Sequence, residues 1–96
     1  MASHWVYVLT NKARGTLYAG VTNDLVRRVS EHRAGAAGGF TKRYGLKELA
    51  YFEQFDRPTA AIQREKNIKH WSRKWKLDLI EASNPKWRDL YTEITR

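Results

Sequence analysis

The sequence predicts an α+β fold, a small three-stranded antiparallel sheet flanked by helices in the order β–β–α–β–α–α. Three observations lead there. Two short runs of aromatic and β-branched residues near the N-terminus are separated by the turn segment Asn11 to Gly15. A helix-start signal follows the second run at once. Past a glycine-rich stretch, one further strand pattern precedes two helical ones. The 96 residues suit a single domain, with a core over about 4–82 and a C-terminal segment over 83–96.

Trp5 to Thr10 is the first strand and Thr16 to Gly20 the second, with Asn11 and Gly15 suited to positive φ between them. If four residues form the loop, Tyr7 and Tyr18 share one sheet surface; a one-residue slip would separate them. Thr22, Asn23 or Asp24 caps a helix running to about Ala34. At 100° per residue, Leu25, Arg28, Val29 and His32 fall on one side of that helix. Gly35 to Gly39 reads as a flexible loop, and Phe40 to Leu46 as a basic, aromatic one. Leu49 to Phe55 is the third strand. A second helix runs from about Thr59 to Trp71, with Pro58 near its start, where a missing N–H does no harm. Trp75 to Ala82 is a third helix, and Pro85 breaks the chain before a short terminal segment.

Composition narrows the function. Lys and Arg number 18 against 10 acids, a formal charge of +8, which points to a polyanionic partner, nucleic acid first. The absence of cysteine excludes disulfides, thiolate zinc sites and Cys nucleophiles. The N-terminus lacks a signal-peptide pattern, and no run nears the roughly 20 apolar residues of a membrane span. A soluble cytoplasmic protein is expected, acting on no membrane.

Several residues could carry chemistry. Glu65 lies in one arc of the second helix with Ala61, Ile68 and Ser72. A carboxylate there needs compensation, either an ion pair to a cation of the first helix or a role as metal ligand or acid. Arg28 and His32, four apart, are either a solvated helix flank or a pair reaching a phosphate. Tyr7 and Tyr18 are either sheet-packing residues or phenols acting on water, which needs a nearby cation. Downstream, Arg64, Lys66, Lys69, Arg73, Lys74 and Lys76 interleave with Trp71 and Trp75, and Lys42 and Arg43 add charge. Cations among aromatics suit phosphates and bases.

Taken in order, these residues resemble the GIY-YIG nuclease superfamily. The first motif stands as Val6-Tyr7-Val8, with Trp5 at the position of its glycine, and the second as Tyr18-Ala19-Gly20. The spacing of the tyrosines matches, as does the helix with Arg28 and His32, and Glu65 stands where the family has its carboxylate. The closing stretch 79–90 resembles the single-domain UPF0213 group. The resemblance implies hydrolysis of DNA phosphodiesters with one divalent ion, Mg²⁺ or Mn²⁺, on Glu65. It implies Tyr7 as general base, Tyr18 positioning water or phosphate, Arg28 stabilising charge on phosphorus, and His32 supporting it or relaying a proton. Some members carry an Asn after a Pro-x-aromatic; here that position is Arg88, and Asn84 precedes Pro85. The expectation is therefore a metal-dependent DNA endonuclease, with single-stranded, branched and duplex substrates all left open. The alternatives are a non-catalytic nucleic-acid-binding module, or a subunit whose protein partner supplies specificity.

Overall fold

The computed structural model describes residues 3–96. Strand β1 (His4–Thr10) is central, paired antiparallel with β2 (Leu17–Thr22) on one side and β3 (Glu48–Phe55) on the other. Alternation along β1 sorts its side chains. Val6 and Val8 point to one face, Tyr7 and Leu9 to the other. Both faces are covered, so β1 is buried from Val6 onward.

On the Val6 face lie α3 (Pro58–His70), through Ala61 and Ile68, and α4 (Arg73–Ser83), through Leu77 and Ile80. On the Tyr7 face lies α1 (Leu25–Arg33), through Leu25 and Val29, joined by Leu46 and Leu90. Asp24 is the cap of α1, its carboxylate accepting from the Arg27 N–H, and Pro58 opens α3 as expected.

The β1–β2 register places Tyr18 opposite Leu9 and Gly20 opposite Tyr7, so the two tyrosines share one face. The connecting loop has six residues, Asn11 to Thr16, not four; the parity is the same. Positive φ falls on Arg14 instead of on Asn11 or Gly15. Asn11 instead accepts the Thr16 N–H at 3.1 Å, and Gly15 is needed because a β-carbon would strike that Asn11 amide. Arg73 of α4 donates to the carbonyls of Arg14 and Gly15, pinning the loop.

The predicted loop over Phe40 to Leu46 is instead a short helix, α2 (Gly39–Tyr44), closed by Gly45 in the left-handed region (φ 65°). Six residues carry too little periodicity to reveal a helix in sequence. The C-terminus adds a single turn, α5 (Tyr91–Ile94).

A bulge in β3 sets the remaining geometry. Val8 pairs with Tyr51 and Leu9 with Leu49, leaving Ala50 as the extra residue. The buried Asn84 amide donates to the Ala50 carbonyl at 3.1 Å and to the Arg88 carbonyl at 2.9 Å, and accepts the Arg88 N–H at 3.0 Å. Beside it Asp89 accepts the Leu49 N–H at 3.0 Å and the Tyr91 N–H at 3.1 Å, and grips Arg33 at 2.7 Å. The chain end thus seals the outer edge of β3. Asn84 spends its side chain on backbone, on the face of the sheet away from Tyr7.

Candidate active site

The sheet presents Tyr7 and Tyr18 toward α1, and α1 answers with Arg28 and His32 one turn apart. Tyr7 is 1% exposed, and room for its ring comes from Gly20 across the ladder. A β-carbon at Gly20 would overlap the Tyr7 Cζ and Oη atoms. The glycine of the second motif therefore makes space for the tyrosine of the first.

His32 is 3% exposed, and its two ring nitrogens are both engaged. Nε2 lies 3.0 Å from the Tyr7 hydroxyl, and Nδ1 lies 2.9 Å from the Thr41 hydroxyl. Thr41 is buried on α2 and donates its single proton to the Gly38 carbonyl at 3.3 Å. It can then only accept from His32, so the proton of the neutral ring sits on Nδ1 and Nε2 is a bare acceptor. Tyr7 donates to Nε2. Arg28 lies near enough to the same phenol to act on its charge state. The Tyr7 hydroxyl therefore gives its proton to His32, with the Arg28 charge close by.

The electrostatics agree with this direction. Burial pushes the Tyr7 pKa up, and Arg28 only partly opposes that, so the group is a protonated phenol near neutral pH. Burial, then the Arg28 charge, push the His32 pKa down, which keeps the imidazole neutral and able to accept. Arg28 also pairs with Glu31 at 3.2 Å, its side chain 40% exposed, so the guanidinium faces both the phenol and solvent. Of the two sequence readings for this pair, the solvated flank fits Arg28 in part and His32 not at all.

Tyr18 completes the cluster, its ring 5.8 Å from that of His32. The layers meet at the β2 edge, where the Lys69 ammonium of α3 sits 5.5 Å from the centre of the Tyr18 ring. Lys69 holds Glu65 at 2.9 Å, and Glu65 is near enough to Tyr7 to raise the phenol's pKa slightly. The ion pair expected between Glu65 and the first helix is thus made within α3, one turn away, because α1 lies on the opposite face of the sheet. Among the described residues no three His, Cys, Asp or Glu side chains gather as a metal cage. Glu65 is a lone carboxylate with 14% of its side chain exposed, and its oxygen already accepts one cation. Hard oxygen donors of this kind suit Mg²⁺ or Mn²⁺ that keep most of their water.

The expected nucleic-acid contacts divide. Lys42, Arg43 and Lys66 are exposed and make no ion pair among the described residues. Arg73 is tied to the hairpin loop, Lys74 pairs with Asp78 at 2.8 Å, and Lys76 donates to the Lys69 carbonyl at 3.4 Å. Thr41 was not legible as a site residue; a threonine in a basic stretch gives no signal until α2 sets it against His32.

A buried Tyr–His pair, an adjoining arginine, a second tyrosine and a lone carboxylate are gathered on a three-stranded α+β frame, and these are groups that acid–base chemistry can use. Comparison with known proteins gives the family: residues 3–78 match the GIY-YIG catalytic domain, and the chain belongs to the GIY-YIG family. It is 46% identical over 79 residues to a UPF0213 protein of Natronomonas pharaonis, covering 82% of this chain and 92% of that one. A UPF0213 protein of Clostridium perfringens is 36% identical over 91 residues, 95% and 97% of the two chains. The solution structure of a UPF0213 protein from Bacillus halodurans superposes with a TM-score of 0.59 at 29% identity, covering 97% of each chain. Membership implies nuclease-type activity on nucleic acid. Among the described residues no helix is long and apolar enough to cross a membrane.

Proposed function

We propose that this protein is a metal-dependent endonuclease that hydrolyses phosphodiester bonds in DNA. The observation that carries the reading is the hydrogen-bonded line Tyr7–His32–Thr41, with Arg28 at the phenol. A buried phenol needs some partner, but packing alone does not call for an imidazole held in one tautomer with a solvent-facing guanidinium beside it.

The chemistry follows from the proton positions. A water oxygen attacks phosphorus and its proton passes to the Tyr7 oxygen. The phenol proton passes in turn to His32 Nε2, so Tyr7 acts as base without ever existing as a free phenolate. His32 becomes imidazolium, with Nδ1–H already held by Thr41. Arg28 donates to the phosphoryl oxygens as charge builds on them, and Tyr18 orients water or phosphate. One ester oxygen then leaves and takes a proton from solvent, and His32 gives its extra proton back to solvent to reset the site. Glu65 would hold Mg²⁺ or Mn²⁺, with Lys69 displaced from the carboxylate, and the ion would supply positive charge beside the leaving oxygen. Lys42, Arg43 and Lys66 are the free cations for the DNA backbone, with Lys69, Arg73, Lys74 and Lys76 a secondary set that must exchange partners.

The Glu65–Lys69 pair favours one rival, a binding module that keeps the fold without the ion. The two readings separate in one assay. Labelled single-stranded, duplex and branched DNA is incubated with Mg²⁺, Mn²⁺ or EDTA, with wild type and Glu65→Ala side by side. Cleavage that requires the ion and is lost in Glu65→Ala, with DNA binding retained, supports the nuclease. Salt-sensitive binding with no cleavage on any substrate supports the module.

A further inference from the structure

Helix α2 turns Thr41 inward to His32, and the same rotation turns Phe40 and Tyr44 outward. They are 47% and 46% exposed, on a helix too short to need two aromatics for its own packing. The rings are ordered with respect to the site. Phe40 stacks on Tyr18 with ring centres 6.3 Å apart and planes 28° from parallel. Tyr44 lies 4.7 Å beyond Phe40, and the Arg43 guanidinium sits 5.5 Å over the Tyr44 ring. A ladder of π faces therefore begins at a site residue and runs out to solvent. The segment Gly35 to Lys47 that carries it contains Lys42, Arg43 and Lys47 and no acid.

Resting on the DNA reading above, we propose that Phe40 and Tyr44 form a stacking platform for an unpaired nucleobase. That base would adjoin the phosphate engaged at Tyr7, Tyr18 and Arg28. Charge and shape agree on this occupant. Exposed aromatic rings on a segment whose only charged side chains are cations match a strand whose bases carry π faces and whose phosphates carry the negative charge. A duplex hides those faces in its own stack, so the platform favours strands or junction ends with free bases. The phosphates fall to Lys42 and Arg43.

The test compares two single strands with identical phosphates, a thymine 12-mer and a 12-mer whose central nucleotides are abasic. Binding is followed by fluorescence anisotropy in EDTA, so neither strand is cut. Wild type is expected to bind the thymine strand on the order of tenfold tighter. Phe40→Ala/Tyr44→Ala is expected to bind both strands alike, with the wild-type salt dependence, because the cations remain. Phe40→Leu/Tyr44→Leu keeps apolar bulk on the helix and is expected to lose the preference equally. Equal binding of both strands by wild type would overturn the platform and leave the DNA reading standing. No binding to either strand, nor to a duplex, would overturn the DNA reading itself. Variants that keep the base preference but lose self-association in sedimentation would overturn the platform and assign the rings to a second copy of this chain.

Discussion

Gly20 lies directly across the β1–β2 ladder from Tyr7, and a β-carbon there would occupy the space of the phenol's Cζ and Oη. The two motif residues are parts of one fitting. Gly20→Ala is expected to move the phenol off His32 while the sheet pairing persists. Misplacement by about 1 Å at a reacting group costs on the order of a hundredfold in rate, and overpacking about 1–3 kcal/mol in stability. Single-turnover cleavage and thermal unfolding of this variant report the two effects separately.

Thr41 fixes the ring proton of His32 on Nδ1. Thr41→Ser keeps the hydroxyl and is expected to cleave near the wild-type rate. Thr41→Val removes it, and a loss on the order of ten- to a hundredfold is expected, as for other orienting partners of a reactive histidine. Nitrogen chemical shifts of His32 check the cause. They should show one dominant tautomer in wild type and Thr41→Ser, and a mixture in Thr41→Val.

His32 also sets the acid limb of the pH profile. Its folded pKa lies below the ordinary 6.5, by burial first and by the Arg28 charge second. As base it must be neutral, so activity is expected to hold as pH falls to 6.5 and to decline only below it. Stability follows the same sign, since a depressed histidine pKa disfavours the charged folded state and its contribution is lost as pH falls through the folded value. Replacing the arginine neighbour, Arg28→Met, is expected to shift the limb toward higher pH. A pH series of the cleavage step on both proteins measures it.

Asp89 holds the chain end on β3. Burial alone would raise its pKa, but the Leu49 and Tyr91 N–H groups and then Arg33 outweigh that and bring it below 3.8. A depressed carboxylate stabilises the fold at pH above its unfolded pKa, and the contribution is lost as pH falls through the folded one. Asp89→Asn is expected to cost about 2–3 kcal/mol at neutral pH through weakened hydrogen bonds to a once-charged acceptor. It is also expected to flatten the acid limb of stability. Urea unfolding at pH 7 and pH 3 gives both numbers.

The elements that run longest were the most legible. Alternation from Trp5 to Thr10, the Asp24 cap and the Pro58 start each have a local cause, and each falls within a residue or two of its expected place. The tyrosine pair could be placed on one face only conditionally, because loop length fixes parity and six residues do it as well as four. Two features had no local signal. The helix at Gly39–Tyr44 is a single short segment held by its tertiary contacts and by Gly45. The Thr41–His32 bond joins residues nine apart across a glycine turn. The Glu65–Lys69 pair lies within reach of sequence spacing, at i and i+4, whereas the exclusion of a partner on the first helix shows only in the fold, which puts the two helices on opposite faces.

The most direct test is the cleavage rate of Tyr7→Phe on a single-stranded DNA substrate with Mn²⁺, measured beside wild type with DNA binding followed in parallel. Phenylalanine keeps the ring above Gly20 and removes only the oxygen that links water to His32. The account predicts a rate lower by about a hundredfold or more with affinity unchanged. Cleavage by Tyr7→Phe at the wild-type rate would show that the Tyr7–His32 line is packing and that the reacting centre lies elsewhere.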